Sequence, residues 1–271
     1  VEAALRRTAV DVAQNIAALQ WGRLLAVDAA RVIALTRPEQ TATPDKADEM
    51  QSAASLISFF ATQLTTYQND AYAAEFTAVI KPFINWLEKA GLDADHFGCK
   101  AARALYRAMA IKDEYEVARL LTSSKARQNI TDMAGANAKI NYHLAPPFLS
   151  WIRDKDGHPR KLKFGGWLTP ILRGLGKMHH LRGRWYDPFG YGHAKQQEQR
   201  HKGAVMAWLQ QLGDIPQTCP PDQLDKMLDL MLSIRGYGHV KEQNYQAACP
   251  QIEACLEAMR MPPHTVDTAA E

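Results

Sequence analysis

Two consecutive stretches decide the fold: residues 46–67, KADEMQSAASLISFFATQLTTY, and residues 69–90, NDAYAAEFTAVIKPFINWLEKA. In the first stretch the large apolar residues recur at helical spacing and predict one buried helix face: Leu56, Ile57, Phe59, Phe60 and Leu64. Asn69 is a helix start signal for a second helix from about 70 to 90. Pro82 is expected to kink that helix or to begin a new turn. Two long helices in succession favour a mainly helical protein.

Residues 3–35 also read as one helix, because apolar residues recur at helical spacing from Leu5 to Ile33. Arg37-Pro38 ends the pattern. Nothing in the sequence before residue 3 shields the apolar stripe. We therefore expect residues 1–38 to be the closing helix of an upstream α/β domain. The first residue is Val1 rather than methionine, which predicts that the chain begins inside a longer product or after processing.

Further helices are expected downstream, and the pattern changes once between them. Polar and apolar residues alternate over Lys139–Leu144 and Lys161–Phe164, with Asp154–Gly157 between them as turn chemistry. This predicts a β-hairpin near residues 138–165. The expected helices cover residues 93–121, 124–134 (ending at Gly135), 168–182, 192–212, 221–233 and 239–259.

The predicted fold class is therefore mainly α, a multi-helix domain with one small β-hairpin. We assign residues 39–260 to this helical domain. The chain after Arg260 carries Pro262-Pro263, and residues 261–271 are expected to be a disordered tail.

Composition excludes several classes of protein. Apolar residues make up 46% and charged residues 23% of the 271 residues, which is ordinary for a globular protein. No apolar run approaches the ~20 residues that a membrane-spanning helix needs, and no signal peptide is recognisable. We expect a cytoplasmic protein. The four cysteines show no CxxC spacing, so we expect reduced thiols and no metal site.

Charge is unevenly distributed along the chain. The segment from Arg153 to Lys202, called the basic band below, has twelve basic and four acidic residues, a formal charge of +8. Residues 39–95 have nine acidic and three basic residues, or −6. Two interpretations stay open: the basic band packs beside acidic helices, which the sequence favours, or it forms an anion or partner surface. The small overall charge of +3 and the lack of a recognition motif argue against nucleic acid.

The best local candidate for binding is the loop Arg235-Gly236-Tyr237-Gly238-His239-Val240-Lys241-Glu242. Its glycines permit an unusual backbone path, and the N–H groups that open the next helix could receive an anion. A tight turn between two helices is the favoured alternative. Together with residues from the basic band and one further histidine, the loop gives six candidate residues for binding an anion or a partner: Arg235, His239, Lys241, His143, Lys163 and Arg182. No motif predicts a catalytic residue.

Several strings resemble the C-terminal extension of the bacterial fused indolepyruvate ferredoxin oxidoreductases, and they occur in the same order. Trp21-Gly22-Arg23 looks like the end of that family's γ-type domain. The resemblance covers about residues 5–258. The other strings are Tyr67–Ala73, Ala110–Leu120, Tyr142–Pro147, Asp187–Tyr191 and Ile234–Asn244.

This resemblance implies a parent oxidoreductase that decarboxylates an aryl-pyruvate on thiamine diphosphate with Mg²⁺. Electrons would pass through [4Fe–4S] clusters to ferredoxin, and the acyl group would remain on coenzyme A. It also implies a homodimer, in which this segment packs against the remainder of the parent chain. The sequence has no GDG signature and no CxxCxxC run, so we expect no cofactor in the segment itself and carry over no catalytic residue.

Overall fold

The computed structural model describes residues 12–36, 52–135, 138–144, 160–190, 192–216 and 219–260, together with Ala47 and Met50. By its internal contacts the chain divides into two compact units, Val1–Glu49 and Met50–Glu271. The predicted 261–271 tail, the helix end at Arg37-Pro38 and the Asp154–Gly157 turn lie outside the described residues. The mainly α fold class is confirmed, because the regular secondary structure of the described chain is helical apart from one two-stranded antiparallel sheet.

The first unit contains α1 (Val12–Val27) and α2 (Ala29–Thr36). The prediction of one helix over 3–35 was wrong at Asp28, where the helix is interrupted. The Asp28 carboxylate accepts a hydrogen bond from the Arg31 backbone N–H at 2.9 Å and so begins α2. No residue of α1 is buried.

The core of the second unit consists of α3 (Ala53–Tyr67), α4 (Asp70–Lys89) and α5 (Ala94–Met109), which pack against one another. Leu56, Phe60 and Leu64 are buried on α3, as the spacing predicts, whereas Ile57 and Phe59 are half-buried. Asn69 caps α4 by accepting from the Tyr72 N–H at 2.8 Å. Pro82 begins no new turn, since α4 continues through it to Lys89.

The predicted helix over 93–121 is two helices. α5 ends at Met109, and α6 (Glu114–Leu121) begins after a turn at residues 110–113. Asp113 caps α6 by accepting a hydrogen bond from the Glu116 N–H at 2.9 Å. An aspartate held in this extended backbone conformation cannot also continue α5. α7 (Ser124–Ala134) follows and ends before Gly135, whose φ is +82°, as predicted.

The predicted hairpin is confirmed. Strand β1 (Asn141–Leu144) pairs antiparallel with β2 (Leu162–Gly165), with Tyr142 opposite Phe164. A 3₁₀ helix (Gly166–Leu168), α8 (Thr169–Lys177) and a second 3₁₀ helix (Met178–Leu181) follow. Ala118 of α6, Tyr142 and Leu172 of α8 form a small second core.

Three longer helices complete the described fold: α9 (His193–Leu212), α10 (Pro221–Ser233) and α11 (His239–Arg260). α9 and α10 pack on α5, and α11 packs on α10. Trp86 of α4 donates its indole N–H to the Ile215 carbonyl at 2.9 Å, which fixes the end of α9 against the first three core helices. None of the described helices is long and apolar enough to cross a bilayer.

Candidate functional site

The turn before α6 is held by tyrosines from the preceding helices. The Tyr67 hydroxyl donates to the Ile111 carbonyl and the Tyr72 hydroxyl to the Met109 carbonyl, both at 3.0 Å. Both tyrosines are buried. Because these bonds satisfy carbonyls that leave the helical ladder between α5 and α6, the turn has a defined path and presents Asp113 to the interior.

Asp113 binds a buried arginine. Arg182 donates from Nε to Asp113 Oδ2 at 2.6 Å and from Nη2 to Oδ1 at 2.7 Å, a bidentate pair. Its Nη1 donates to the Tyr67 carbonyl, and its guanidinium carbon lies 3.7 Å from the centre of the Tyr67 ring. Lys195 Nζ adds a third cationic contact to Asp113 at 3.1 Å. This pairing fastens the 182–190 loop and the first turn of α9 to α6.

Asp187 is a second buried carboxylate near α6. The Tyr115 hydroxyl donates to Asp187 Oδ1 at 2.9 Å, and the backbone N–H groups of Phe189 and Gly183 also donate to this carboxylate. Asp187 is 1% exposed and Tyr115 is 1% exposed. Three donors compensate the buried charge. We call the set Tyr67, Asp113, Tyr115, Arg182, Asp187 and Lys195 the Asp113 cluster.

The environment fixes the protonation of these groups. Burial alone would raise the pKa of Asp113, but the hydrogen bonds and charge of Arg182 and the charge of Lys195 bring that pKa below its usual value. Burial raises the pKa of Tyr67, and burial with the Asp187 contact raises that of Tyr115. At neutral pH both phenols therefore act as hydrogen-bond donors, and the cluster is a positioning network rather than an acid–base pair.

An apolar cleft of about 580 Å³ borders α6, α8 and the hairpin. We call it the α6 cleft. Its polar wall is formed by Lys112, Asp113 and Glu114. Burial raises the pKa of Glu114. The remaining wall residues are apolar or aromatic: Val117, Ala118, Leu144, Phe164, Leu168, Ile171, Leu172, Leu175, Phe189 and Tyr237. This size and lining are typical of binding clefts.

The strings that carry the sequence resemblance meet around α6. Tyr115 of one string bonds to Asp187 of another, and its ring lies edge-on to Phe189 with centroids 5.3 Å apart. Lys112 Nζ lies 4.9 Å above the ring of Tyr237 in a third string. Tyr142 of a fourth string packs with Ala118. Segments that are distant in sequence thus converge on one region of the fold.

The structure separates the six residues predicted to bind an anion or a partner. Arg182 is in the Asp113 cluster. His143 and Lys163 are exposed and lie opposite each other on β1 and β2. Arg235 is exposed in the turn before α11, and His239 is exposed at the first position of α11. In the turn between them Gly236 and Gly238 have φ of +107° and +55°. Lys241 is buried and pairs with Glu198.

The contacts of the 235–242 loop agree with the interpretation of this loop as a tight turn between two helices. The Arg235 carbonyl accepts from Asn244 Nδ2 at 2.8 Å and the Ser233 carbonyl from the Arg235 N–H at 2.8 Å. The basic band is partly neutralised. Lys202 pairs with Glu75 of the acidic segment, whereas Lys195 and Arg200 pair with Asp113 and Glu242 from outside that segment.

The sequence analysis named neither Asp113 nor Asp187 among its candidate site residues. Asp113 followed by Glu116 three residues later is a helix-start pattern, and this was the available signal. The cysteines at 99, 219 and 255 are buried free thiols, and Cys249 is half-buried. Among the described residues no group of three or more metal-ligating side chains is present.

Comparison with known proteins gives one match. A protein-family model described as a family of unknown function, DUF6537, matches residues 53–254, which is most of the chain. No curated protein and no solved structure matches the sequence of this chain. The matched range includes α6, the Asp113 cluster and the α6 cleft.

Proposed function

We propose that this chain, which belongs to the DUF6537 family of unknown function, is an interaction domain of a larger oxidoreductase. In this proposal the parent is a thiamine-diphosphate and iron–sulfur dependent 2-oxoacid ferredoxin oxidoreductase of the indolepyruvate type. The chain described here is its C-terminal structural domain and performs no chemistry of its own. Thiamine diphosphate, Mg²⁺, the [4Fe–4S] clusters and the sites for ferredoxin and coenzyme A belong to the remainder of the parent.

The observation that carries this proposal is the surface of α1. Its sixteen residues include no buried side chain, although the helix is rich in apolar residues. Trp21 is 45% exposed, Leu25 is 50% exposed and Val27 is 87% exposed. Exposed apolar surface is unfavourable by about 25 cal/mol per Å² relative to its burial. A helix of this kind favours a protein partner.

The α6 cleft supports the same proposal from the second unit. Its rim residues Ile171 and Tyr237 are 57% and 68% exposed, and the neighbouring Trp167 is 64% exposed. Large aromatic and aliphatic side chains at the edge of an apolar cleft are typical of interaction surfaces. The convergence of the resemblance strings on this region is a further reason to assign it a shared role.

The proposal is tested in the intact parent enzyme. Trp21, Leu25 and Val27 are replaced together by glutamine, and indolepyruvate-dependent reduction of ferredoxin with coenzyme A is measured along with the assembly state. We expect loss of assembly and of turnover, because the polar replacements remove the exposed apolar side chains that pack against the parent in this proposal. The matched control is Gln14→Ser with Gln20→Ser, two exposed polar residues on the same helix. A triple variant that assembles and turns over like the wild type would contradict the proposal.

An anion-binding module without a redox centre is the second candidate. The exposed Arg235 and His239 beside two glycines of positive φ favour it, since such turns can present N–H groups to an anion. Acidic ferredoxin or the coenzyme A phosphates are the proposed ligands. Calorimetry with either ligand at low ionic strength should give heat that disappears with added salt. Absence of heat at low salt would remove this candidate.

A further inference from the structure

A polar cavity of about 400 Å³ lies beside the Asp113 cluster. We call it the Arg182 cavity. It is enclosed by the end of α3, the start of α4, the 182–190 loop and the first turns of α9. The residues that line it are Tyr67, Gln68, Tyr72, Glu75, Ile111, Arg182, Gly183, Gly190, Lys195, Gln199 and Lys202.

The lining of the Arg182 cavity is positively charged. Three cations face it, and Glu75 is the single carboxylate among its lining residues. The Arg182, Lys195 and Lys202 side chains are 2%, 11% and 16% exposed, whereas the Glu75 side chain is 49% exposed. Behind the lining, Asp113 pairs with both Arg182 and Lys195, Glu116 lies 3.9 Å from Arg182, and the buried Asp187 carboxylate accepts from the Gly183 N–H. The positive excess therefore belongs to the side chains that line the cavity, and these cations are much better shielded from water than the Glu75 carboxylate.

The two lysines of the cavity, Lys195 and Lys202, have N–H groups that can donate further hydrogen bonds. A lysine ammonium has three N–H groups. Within the described chain Lys195 uses one of them on Asp113, and Lys202 uses one on Glu75. Lys202 Nζ also lies 4.7 Å from the centre of the Tyr72 ring. Glu75 is therefore the weakest partner in the cavity, since half of its side chain is already in water.

The tyrosines and glycines limit what the cavity accepts. Arg182 covers one face of the Tyr67 ring and Lys202 one face of the Tyr72 ring, and both tyrosines are buried, so neither ring offers an exposed face for an aromatic ligand to stack on. Gly183 and Gly190 leave the wall without side chains at two points. The cavity has room for a small multivalent anion and part of the molecule that carries it.

We infer that the Arg182 cavity binds a phosphate-class anion, which Lys195 and Lys202 hold by charge-assisted hydrogen bonds beside the fixed guanidinium of Arg182. The ligand displaces Glu75 from Lys202 and takes over its ion pair. This site is separate from the 235–242 loop, and the inference does not depend on the oxidoreductase proposal.

Two substitutions with opposite expected signs test the inference. Calorimetry is performed on the whole chain with inorganic phosphate at low ionic strength. Lys202→Gln removes one charged donor and should weaken phosphate binding about tenfold. Glu75→Gln removes the competing carboxylate and should tighten it about threefold. Both changes replace partly exposed side chains with an amide of similar size, and circular dichroism verifies that each variant is folded.

Two control variants locate the site. Lys100→Gln removes a lysine of similar exposure, paired with Asp225 and Asp229, and should leave phosphate affinity unchanged. Arg235→Gln should also leave it unchanged. Loss of binding in the Arg235 variant alone would transfer the site to the 235–242 loop and overturn the inference. No heat with wild-type protein, or equal affinity in the Lys202 and Glu75 variants, would overturn it as well.

Discussion

At the scale of single residues, the Arg182–Asp113 pair stabilises the link between α6 and the 182–190 loop. Its side chains are 2% and 4% exposed. Removing Arg182 takes away two charge-assisted hydrogen bonds and leaves the buried Asp113 carboxylate with Lys195 as its cationic partner, and loss of one partner of a buried pair destabilises by about 3–5 kcal/mol. We expect Arg182→Met to lower the free energy of unfolding by that amount in urea denaturation. The control is Arg200→Met, since the Arg200 side chain is 55% exposed in its pair with Glu242. That change should lower it by less than about 1 kcal/mol. Equal effects would contradict the structural role given to Arg182.

His201 makes stability depend on pH. His201 is 2% exposed, and its ring centre lies 4.2 Å from that of Tyr245. Its Nε2 contacts Glu242 at 3.0 Å, and its buried Nδ1 has no hydrogen-bond partner among the described residues. Burial lowers its pKa despite the Glu242 contact. The unfolded chain therefore takes up a proton first as the pH falls, which favours unfolding.

Stability should accordingly decrease as the pH falls from 6.5, the ordinary histidine pKa, toward the lower folded value. In His201→Gln this decrease should be smaller, because the titrating ring is gone while an amide donor to Glu242 is kept. Urea denaturation at pH 7.5 and pH 5.5 measures both slopes. The other histidines are present in both the wild type and the His201→Gln variant, so their contributions cancel in the difference between the two slopes. Identical slopes would show that His201 is not the source.

The sequence predicts some residue-scale features and not others. Leu56, Phe60 and Leu64 are predicted correctly as core because their spacing is local. Asp187 is not, because it is buried in contact with Tyr115, which lies 72 residues away in the sequence. A polar side chain carries no local sign that a distant partner will compensate its burial.

At the scale of elements, the helix boundaries that failed are those set by capping side chains. Asp28 and Asp113 each bond to a backbone N–H three residues later. The apolar periodicity continues past both positions, and it conceals the breaks from an analysis based on spacing. The two strands of the hairpin are predicted correctly, since the alternation of polar and apolar residues is a local pattern.

The contact of α5 with α3 and α4 depends on Gly98. A Cβ at this position would lie 2.6 Å from Ile84 Cδ1 and 2.9 Å from Ala53 Cβ. We expect Gly98→Ala to destabilise by about 1–3 kcal/mol through overpacking. Gly203→Ala in α9 is the matched control, because nothing lies within 4 Å of its Cβ. There the change should stabilise by about 1 kcal/mol. Thermal denaturation of both variants gives the sign of each change in stability. A Gly98→Ala variant that is more stable than the wild type would contradict the close packing of Gly98 against Ile84 and Ala53.

Helix α1 should give the isolated chain a measurable apolar surface. We expect the chain to enhance 1-anilinonaphthalene-8-sulfonate fluorescence and to self-associate in sedimentation. Replacing Trp21, Leu25 and Val27 together with glutamine should reduce both signals with little change in the melting temperature, because none of the three is buried. The double Gln14 and Gln20 variant again serves as control. Unchanged dye binding in the triple variant would assign the apolar surface elsewhere.

At the scale of the whole molecule, the described chain combines a closed helical core with apolar surface on α1 and in the α6 cleft. The Asp113 cluster supports one wall of that cleft and the basic wall of the Arg182 cavity. Composition and spacing predict the fold class, but the two sites arise from tertiary contacts between α3, α6, the 182–190 loop and α9.

The central claim is that the chain is a domain of a larger oxidoreductase, and the sequence of the coding region upstream of Val1 tests it most directly. Our account predicts an open frame that continues upstream and encodes CxxCxxC cluster motifs and a GDG thiamine-diphosphate signature. A frame that begins at or just before Val1 would contradict it, and would leave anion binding as the leading function.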